Sequence, residues 1–267
     1  MNSTLLTRQQ LEIISRKYLH YPLHVAEKDY FLALVMQIIS KSPLGNTLIF
    51  KGGTALHHCF LEHYRFSEDL DFSSNKSILK LEDVRQIFAG VDFLKIKKDY
   101  LSNATIKIEK LQYIGPLLQP NSLKVEVDFL QNVLLPSVKM KYNNVWGLDF
   151  EVNVMNIKEI CAEKIRATND RARYRDFYDL FLIINSYPIN LEEIVKFVRH
   201  KEIRKIISKA NILSNWSVVG TQKEKEMRQI FYSRKVDDTQ IQKMIENLPL
   251  ATAPSSSRTH LGLLTNQ

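Results

Sequence analysis

Cysteine, glycine and proline are all scarce in this 267-residue chain. Two cysteines, Cys59 and Cys161, can build neither a disulfide framework nor a four-thiolate zinc site. They are expected as small buried hydrophobes in a reducing cytoplasm. Eight glycines and eight prolines exclude a collagen-like repeat and a linker-dominated chain. No apolar run reaches the ~18–20 residues that a membrane helix needs. The longest candidate, residues 30–39, is too short and contains Gln37. The first ten residues are polar and carry no signal-peptide core, so a cytoplasmic protein without a membrane partner is expected. What remains is an ordinary globular balance, 45% hydrophobic and 25% charged. Lys and Arg outnumber Asp and Glu by 37 to 29, giving a net charge of +8 and a pI near 9.3. Such a surface favours polyanions: RNA, DNA or nucleotide phosphates.

The periodicity divides the chain. Residues 11–19 and 25–40 repeat apolar side chains near every 3.6 positions, with Glu27, Lys28 and Asp29 in the opening turn of the second helix. A short strand over 48–50 runs into Lys51-Gly52-Gly53, followed by a short helix over 54–64. Residues 69–72 alternate as a strand, residues 81–89 read as a helix, and 104–113, 123–130 and 148–154 as further strands. After Asn156 the pattern is helical almost throughout: 157–168, 176–186, 191–199, 203–212 and 223–232. The expected fold class is therefore mixed α/β (α+β) over 1–155, with a helical C-terminal domain over 156–250 and a disordered tail over 251–267.

The chemistry concentrates in Lys51-Gly52-Gly53-Thr54-Ala55-Leu56 and Arg65-Phe66-Ser67-Glu68-Asp69-Leu70-Asp71-Phe72. Glycines between a strand and a helix let backbone N–H groups approach an anion closely. An Asp-x-Asp on a strand sends Asp69 and Asp71 to one face, where two carboxylates repel unless a cation lies between them. Mg²⁺ or Mn²⁺ meets that need and can bridge to nucleotide phosphates. Glu126 and Asp128, alternating with Val125 and Val127, are two candidates for a third acid in a two-metal site. Further on lie Glu159, Glu163 and Lys164 on a helix, then Arg166, Arg171, Arg173 and Arg175, then Asp176 and Asp179. Taken alone, Asp176 reads as a helix cap, Lys164 as a surface lysine and the arginines as a solvated loop. Taken with the acids, Lys164 holds a triphosphate, Asp176 orients a basic group or substrate, and the arginines dock a polyanion.

These motifs, in this order, resemble the AbiEii-type nucleotidyltransferase toxins of the polymerase-β-like superfamily, over roughly residues 49–184. The resemblance implies a nucleotidyltransferase-like mixed sheet with flanking helices, and a metal-dependent enzyme of a type IV toxin–antitoxin pair with a phage-defence role. It places the glycine turn on Gly52 and Gly53, with Thr54 supplying a hydroxyl. It places the metal acids on Asp69 and Asp71, favours Glu126 over Asp128 for the third, and puts the lysine motif on Lys164 and the late acid on Asp176. It further implies a nucleoside triphosphate as substrate, tRNA or another RNA as acceptor, and a neighbouring antitoxin that binds DNA. Two other functions share the motifs: transfer to a small molecule, as in aminoglycoside nucleotidyltransferases, and binding of nucleic acid or a partner without turnover.

Overall fold

The computed structural model describes residues 5–74, 79–129, 132–201 and 206–251. Helix α1 (Arg8–Ile14) continues into a π-helical turn, Ser15–Leu19, and leads to the long helix α2 (Leu23–Lys41). Strand β1 (Leu48–Lys51) runs into α3 (Gly52–Ala55), which continues as a second π-helical turn, Leu56–Phe60. Then come β2 (Asp69–Ser74), α4 (Leu81–Phe88), β3 (Leu94–Leu101), β4 (Thr105–Ile114), β5 (Pro120–Asp128), β6 (Val138–Lys141) and β7 (Glu151–Val154). Every later element among the described residues is helical: α5 (Ile157–Asp170), α6 (Tyr174–Ser186), α7 (Leu191–His200), α8 (Lys209–Gln229) and α9 (Asp238–Glu246).

The seven strands form one mixed sheet in the order β3-β4-β5-β2-β1-β7-β6. Strand β2 lies parallel to β5 and antiparallel to β1, and β1 lies parallel to β7. All four residues of β1 are buried, as befits a central strand covered on both faces. Leu48 and Phe50 join Leu70, Phe72, Val125 and Val127 in a core shared with α2. Ile49 points to the other face, into a second core built on α5 and α6. Because α2 is wedged between the sheet and surrounding loops, it is buried nearly all round, including Glu27 and Asp29. The helix begins at Leu23, so these two acids lie beyond its first turn and not in the opening turn expected from sequence. Glu27 accepts a hydrogen bond from the Leu117 N–H at 2.8 Å, and Asp29 accepts one from the Trp146 indole at 2.8 Å.

Three elements lie outside the sequence expectation: the edge strands β3 and β6, and α9. Residues 223–232 are mostly the end of one long helix, α8, rather than a separate one. Residues 202–205, in the helix expected over 203–212, and most of the expected tail, 252–267, lie outside the described residues. Cys59 and Cys161 are free and buried, and burial pushes both thiols up to about 12. Among the described residues no helix is long and apolar enough to cross a membrane.

Candidate active site

Register assembles the acids. In β2, Leu70 and Phe72 point into the α2 core, so Asp69 and Asp71 face the opposite side. The parallel pairing of β2 with β5 sets Asp71 beside Glu126, and Asp69 beside Lys124. The antiparallel pairing with β1 sets Lys51 on the other side of Asp71. Lys107 of β4 then adjoins Glu126. One row across four strands reads Lys51, Asp71, Glu126, Lys107. The two carboxylates in the middle stand side by side. Burial, followed by the charges of Asp69 and Glu126, pushes the Asp71 carboxyl up to about 6, although Lys51 and Lys124 pull it down.

The basic residues nearby divide between Glu126 and acids outside the trio of Asp69, Asp71 and Glu126. Lys51 is buried, with Nζ 3.0 Å from Asp128 and 3.4 Å from Glu163. Burial lowers its pKa, but Glu163 and Asp128 more than offset that and keep it charged. Glu126 lies 2.9 Å from Lys107 and 3.2 Å from Lys124. Thus the two candidate third acids differ in company: Glu126 stands beside Asp71, and Asp128 is the counter-ion of Lys51.

The glycine turn abuts this row. Gly52 adopts a φ of +79°, and a Cβ there would lie 2.8 Å from Asp71 Oδ2. Both facts favour glycine at this position. At Gly53 a Cβ would overlap the Arg65 guanidinium and come within 2.8 Å of Ser67 Oγ. Thr54 turns away from the cleft. It is buried, and its hydroxyl donates to the Asp69 carbonyl at 2.5 Å, with Ser67 Oγ 3.0 Å away. The group thereby fastens α3 to β2.

Helices α5 and α6 supply the facing wall. Lys164 Nζ sits 3.0 Å from Asp176 and 2.6 Å from Asp179. Arg65 grips Asp179 with two parallel bonds, Nε at 2.6 Å and Nη2 at 2.7 Å, and the Tyr64 hydroxyl adds a third at 2.8 Å. Arg171 Nε binds Asp176 at 2.7 Å. Burial raises the pKa of each acid. Against it, Lys164 with Arg171 holds Asp176 well below the usual carboxylate range, and Arg65 with Lys164 brings Asp179 below its ordinary value. Lys164 is therefore not a surface lysine, and Asp176 is not the cap of α6, a position held by Arg173. Arg171 is tied to the wall, whereas Arg173 and Arg175 are not ion-paired among the described residues.

Sheet and helices enclose a cleft of about 750 Å³. Gly52, Gly53, Asp69, Asp71, Glu126, Asp128, Lys164 and Asp176 all line it, with Arg171, Arg173 and Arg175. Sequence reasoning missed Lys51 and Arg65 as members of the site. Their position within the two motifs was a signal, but their partners, Asp128, Glu163 and Asp179, lie 77 to 114 residues away. Glu159, noted in the sequence beside Glu163, is structural: it binds the Leu134 and Leu135 N–H groups and the Lys201 ammonium, at 2.6–3.0 Å.

Comparison with known proteins gives concordant matches. The model of the family described as nucleotidyl transferase AbiEii toxin, type IV toxin–antitoxin system, matches residues 33–258. The uncharacterized protein aq_aa25 of Aquifex aeolicus strain VF5 is 27% identical over 167 residues, covering 58% of this chain and 66% of that protein, just under two thirds of its length. MenT4, a nucleotidyltransferase toxin of Mycobacterium tuberculosis H37Rv, superposes with a TM-score of 0.65 at 20% identity, covering 91% of this chain and 90% of its own. JHP933 of Helicobacter pylori superposes with a TM-score of 0.54 at 18% identity, covering 84% of this chain and 90% of its own. At these identities the likeness to the solved structures is one of fold.

Proposed function

The chain belongs to the AbiEii nucleotidyltransferase toxin family of type IV toxin–antitoxin systems, and from that premise we propose that it transfers a nucleotide from a nucleoside triphosphate to an RNA acceptor such as tRNA. The observation that carries this reading is the row of Asp71 and Glu126 in adjacent register, with Asp69 on the same face, beneath a glycine turn. The three acids fit a hard divalent cation, because the Asp71 carboxyl is crowded by two like charges while the nearest lysine is engaged by Asp128 and Glu163. Asp69, Asp71 and Glu126 would hold Mg²⁺ or Mn²⁺, which when bound neutralises charge on the triphosphate and favours ionisation of the acceptor hydroxyl.

In this reading the Gly52-Gly53 turn offers backbone N–H groups to the triphosphate. Arg65, Lys164 and Arg171 stand against two carboxylates, Asp176 and Asp179. That wall keeps a net positive charge, which attracts the phosphates and then the departing pyrophosphate. Glu126 takes the proton of the acceptor hydroxyl. The acceptor oxygen forms its bond to the α-phosphorus as the bond from that phosphorus to the bridging oxygen breaks, and pyrophosphate leaves. Arg173 and Arg175 at the cleft edge contact the acceptor backbone. These arginines and the net charge of +8 favour a polyanionic acceptor over a small molecule. The biological counterpart is an antitoxin encoded nearby, of the DNA-binding kind. Labelled nucleotide from each of the four triphosphates, incubated with bulk tRNA and Mg²⁺, should appear in tRNA for at least one. No incorporation by folded, metal-loaded protein from any triphosphate would refute the reading.

A further inference from the structure

Behind the cleft, and contributing no residue to it, lies a second constellation. Asp29 of α2, His57 and His58 of the second π-helical turn, and His63 of the following bend converge in the interior; Asp29, His57 and His58 are fully buried. The ligating atoms of the three histidines lie within 4.8 Å of one another. Asp29 Oδ1 is 3.7 Å from His57 Nε2 and 3.6 Å from His58 Nε2. Those distances are too long for hydrogen bonds. Asp29 Oδ1 and His58 Nε2 are accordingly left without any hydrogen-bond partner while buried. An unpartnered carboxylate oxygen facing an unpartnered imidazole nitrogen is costly unless something bridges them.

The outer sides of the same residues are already fastened. His57 Nδ1 lies 2.6 Å from the Arg65 carbonyl, and His58 Nδ1 lies 2.8 Å from the Asn143 carbonyl. A carbonyl only accepts, so both Nδ1 atoms carry the proton, and both Nε2 atoms turn a lone pair inward. Asp29 Oδ2 accepts from Trp146 Nε1. Outer hydrogen bonds of this kind fix the tautomer and aim of metal-binding histidines and carboxylates.

We propose that Asp29, His57, His58 and His63 form a structural Zn²⁺ site, distinct from the acids of the cleft. The donors are Asp29 Oδ1, His57 Nε2, His58 Nε2 and His63 Nδ1. Two donors on a tetrahedral zinc with bonds of ~2.0–2.1 Å stand about 3.3 Å apart. The Asp29 contacts are within half an ångström of that spacing, and the His63 Nδ1 to His57 Nε2 distance is 3.0 Å. The His63 proton, which bridges to His57 at present, moves to its own Nε2 when the ion enters. Three imidazoles and one carboxylate suit zinc and disfavour Mg²⁺, which prefers oxygen and retained water. With four protein ligands the site is closed, so its work is to hold the segment from the glycine turn to Arg65. Through the Arg65 carbonyl it fixes the residue whose guanidinium grips Asp179.

The test uses the full chain with any purification tag removed. Zinc content by mass spectrometry should be about one per chain in the unsubstituted protein and in the Asp69→Asn/Asp71→Asn double variant. It should fall at least tenfold in His63→Gln, whose ring is at the edge of the cluster. As a check that does not depend on a variant folding, chelator-stripped protein already in excess Mg²⁺, which fills the acids of the cleft, should melt several degrees higher again when one equivalent of Zn²⁺ is added. Co²⁺ in place of Zn²⁺ should give the visible absorption of a tetrahedral ion. Stripped protein that neither binds Zn²⁺ nor melts higher with it would overturn the proposal. So would zinc retained in His63→Gln and lost from the Asp69/Asp71 variant. Neither result depends on nucleotide transfer.

Discussion

Replacing Asp71 by Asn should stabilise the metal-free protein above pH 6 while abolishing transfer. The carboxyl is held at about 6 rather than its ordinary 3.8, first by burial and then by Asp69 and Glu126. A group with a raised carboxyl pKa binds its proton more tightly folded than unfolded, so folding stability falls as pH rises between the two values. At about 1.4 kcal/mol per tenfold change the full penalty approaches ~3 kcal/mol, and solvent in the cleft reduces it to ~1–3 kcal/mol. Asn removes the charge and retains the shape. At roughly 2–4 °C per kcal/mol for a chain of this size, its melting temperature should rise by ~2–12 °C at pH 7.5 in chelator. The gain should shrink toward zero as pH falls to about 4, where the folded wild-type carboxyl is protonated. Adding Mg²⁺ should raise the melting temperature of the wild type more than that of the variant. A variant less stable than wild type at pH 7.5, or one whose gain does not vary with pH, would refute the idea that Asp71 is buried among like charges that Lys51 and Lys124 only partly offset.

Other substitutions probe the rest of the site. Glu126→Gln should lower transfer as severely as Asp69→Asn, and Asp128→Asn should be milder in transfer while weakening the fold through Lys51; the reverse order of initial rates would move the third acid to Asp128. Arg65→Ala breaks the buried two-point pair with Asp179 and should destabilise by ~3–5 kcal/mol, read as a shift in urea midpoint at unchanged slope; a shift below 1 kcal/mol, by the ~1 kcal/mol scale of an ordinary hydrogen bond, would show the pair to be incidental. Neutralising Arg173 and Arg175 should flatten the salt dependence of RNA binding by roughly 1.4–1.8 log units per log unit of salt and spare nucleotide affinity. Lys164→Ala should do the opposite in the same pair of binding titrations, and an unchanged RNA slope in the double arginine variant would place the acceptor elsewhere.

Much of the site's outline was legible because it is local. Alternation in Asp69-Leu70-Asp71-Phe72 already separates acids from core, and two glycines after a strand already mark a close approach. The pairing that brings Glu126 to Asp71 joins strands about 50 residues apart and depends on the whole sheet, so alternation left Glu126 and Asp128 level and only the family resemblance favoured Glu126. Likewise nothing local tells that Lys51 is buried against Asp128 and Glu163, or that Lys164 and Arg65 share Asp179. The edge strands were missed for a physical reason. Strand β3 carries Lys95, Lys97 and Lys98, mostly exposed, which protects an open edge and hides the hydrophobic alternation of Leu94 and Ile96. Helix α9 was readable: Asp237 caps it, and Ile241, Met244 and Ile245 are spaced for one buried face. Nor does the motif itself tell that the Thr54 hydroxyl bonds the Asp69 carbonyl.

The central claim is that these acids serve transfer of the nucleotide portion of a triphosphate. Two parallel reactions with tRNA and Mg²⁺, one using triphosphate labelled at the α-phosphorus and one labelled at the γ-phosphorus, test it most directly. The account predicts that α-label enters the RNA, that γ-label leaves as pyrophosphate, and that both events vanish in Asp69→Asn. Transfer of γ-label to RNA or protein, or release of pyrophosphate undiminished in Asp69→Asn, would contradict it.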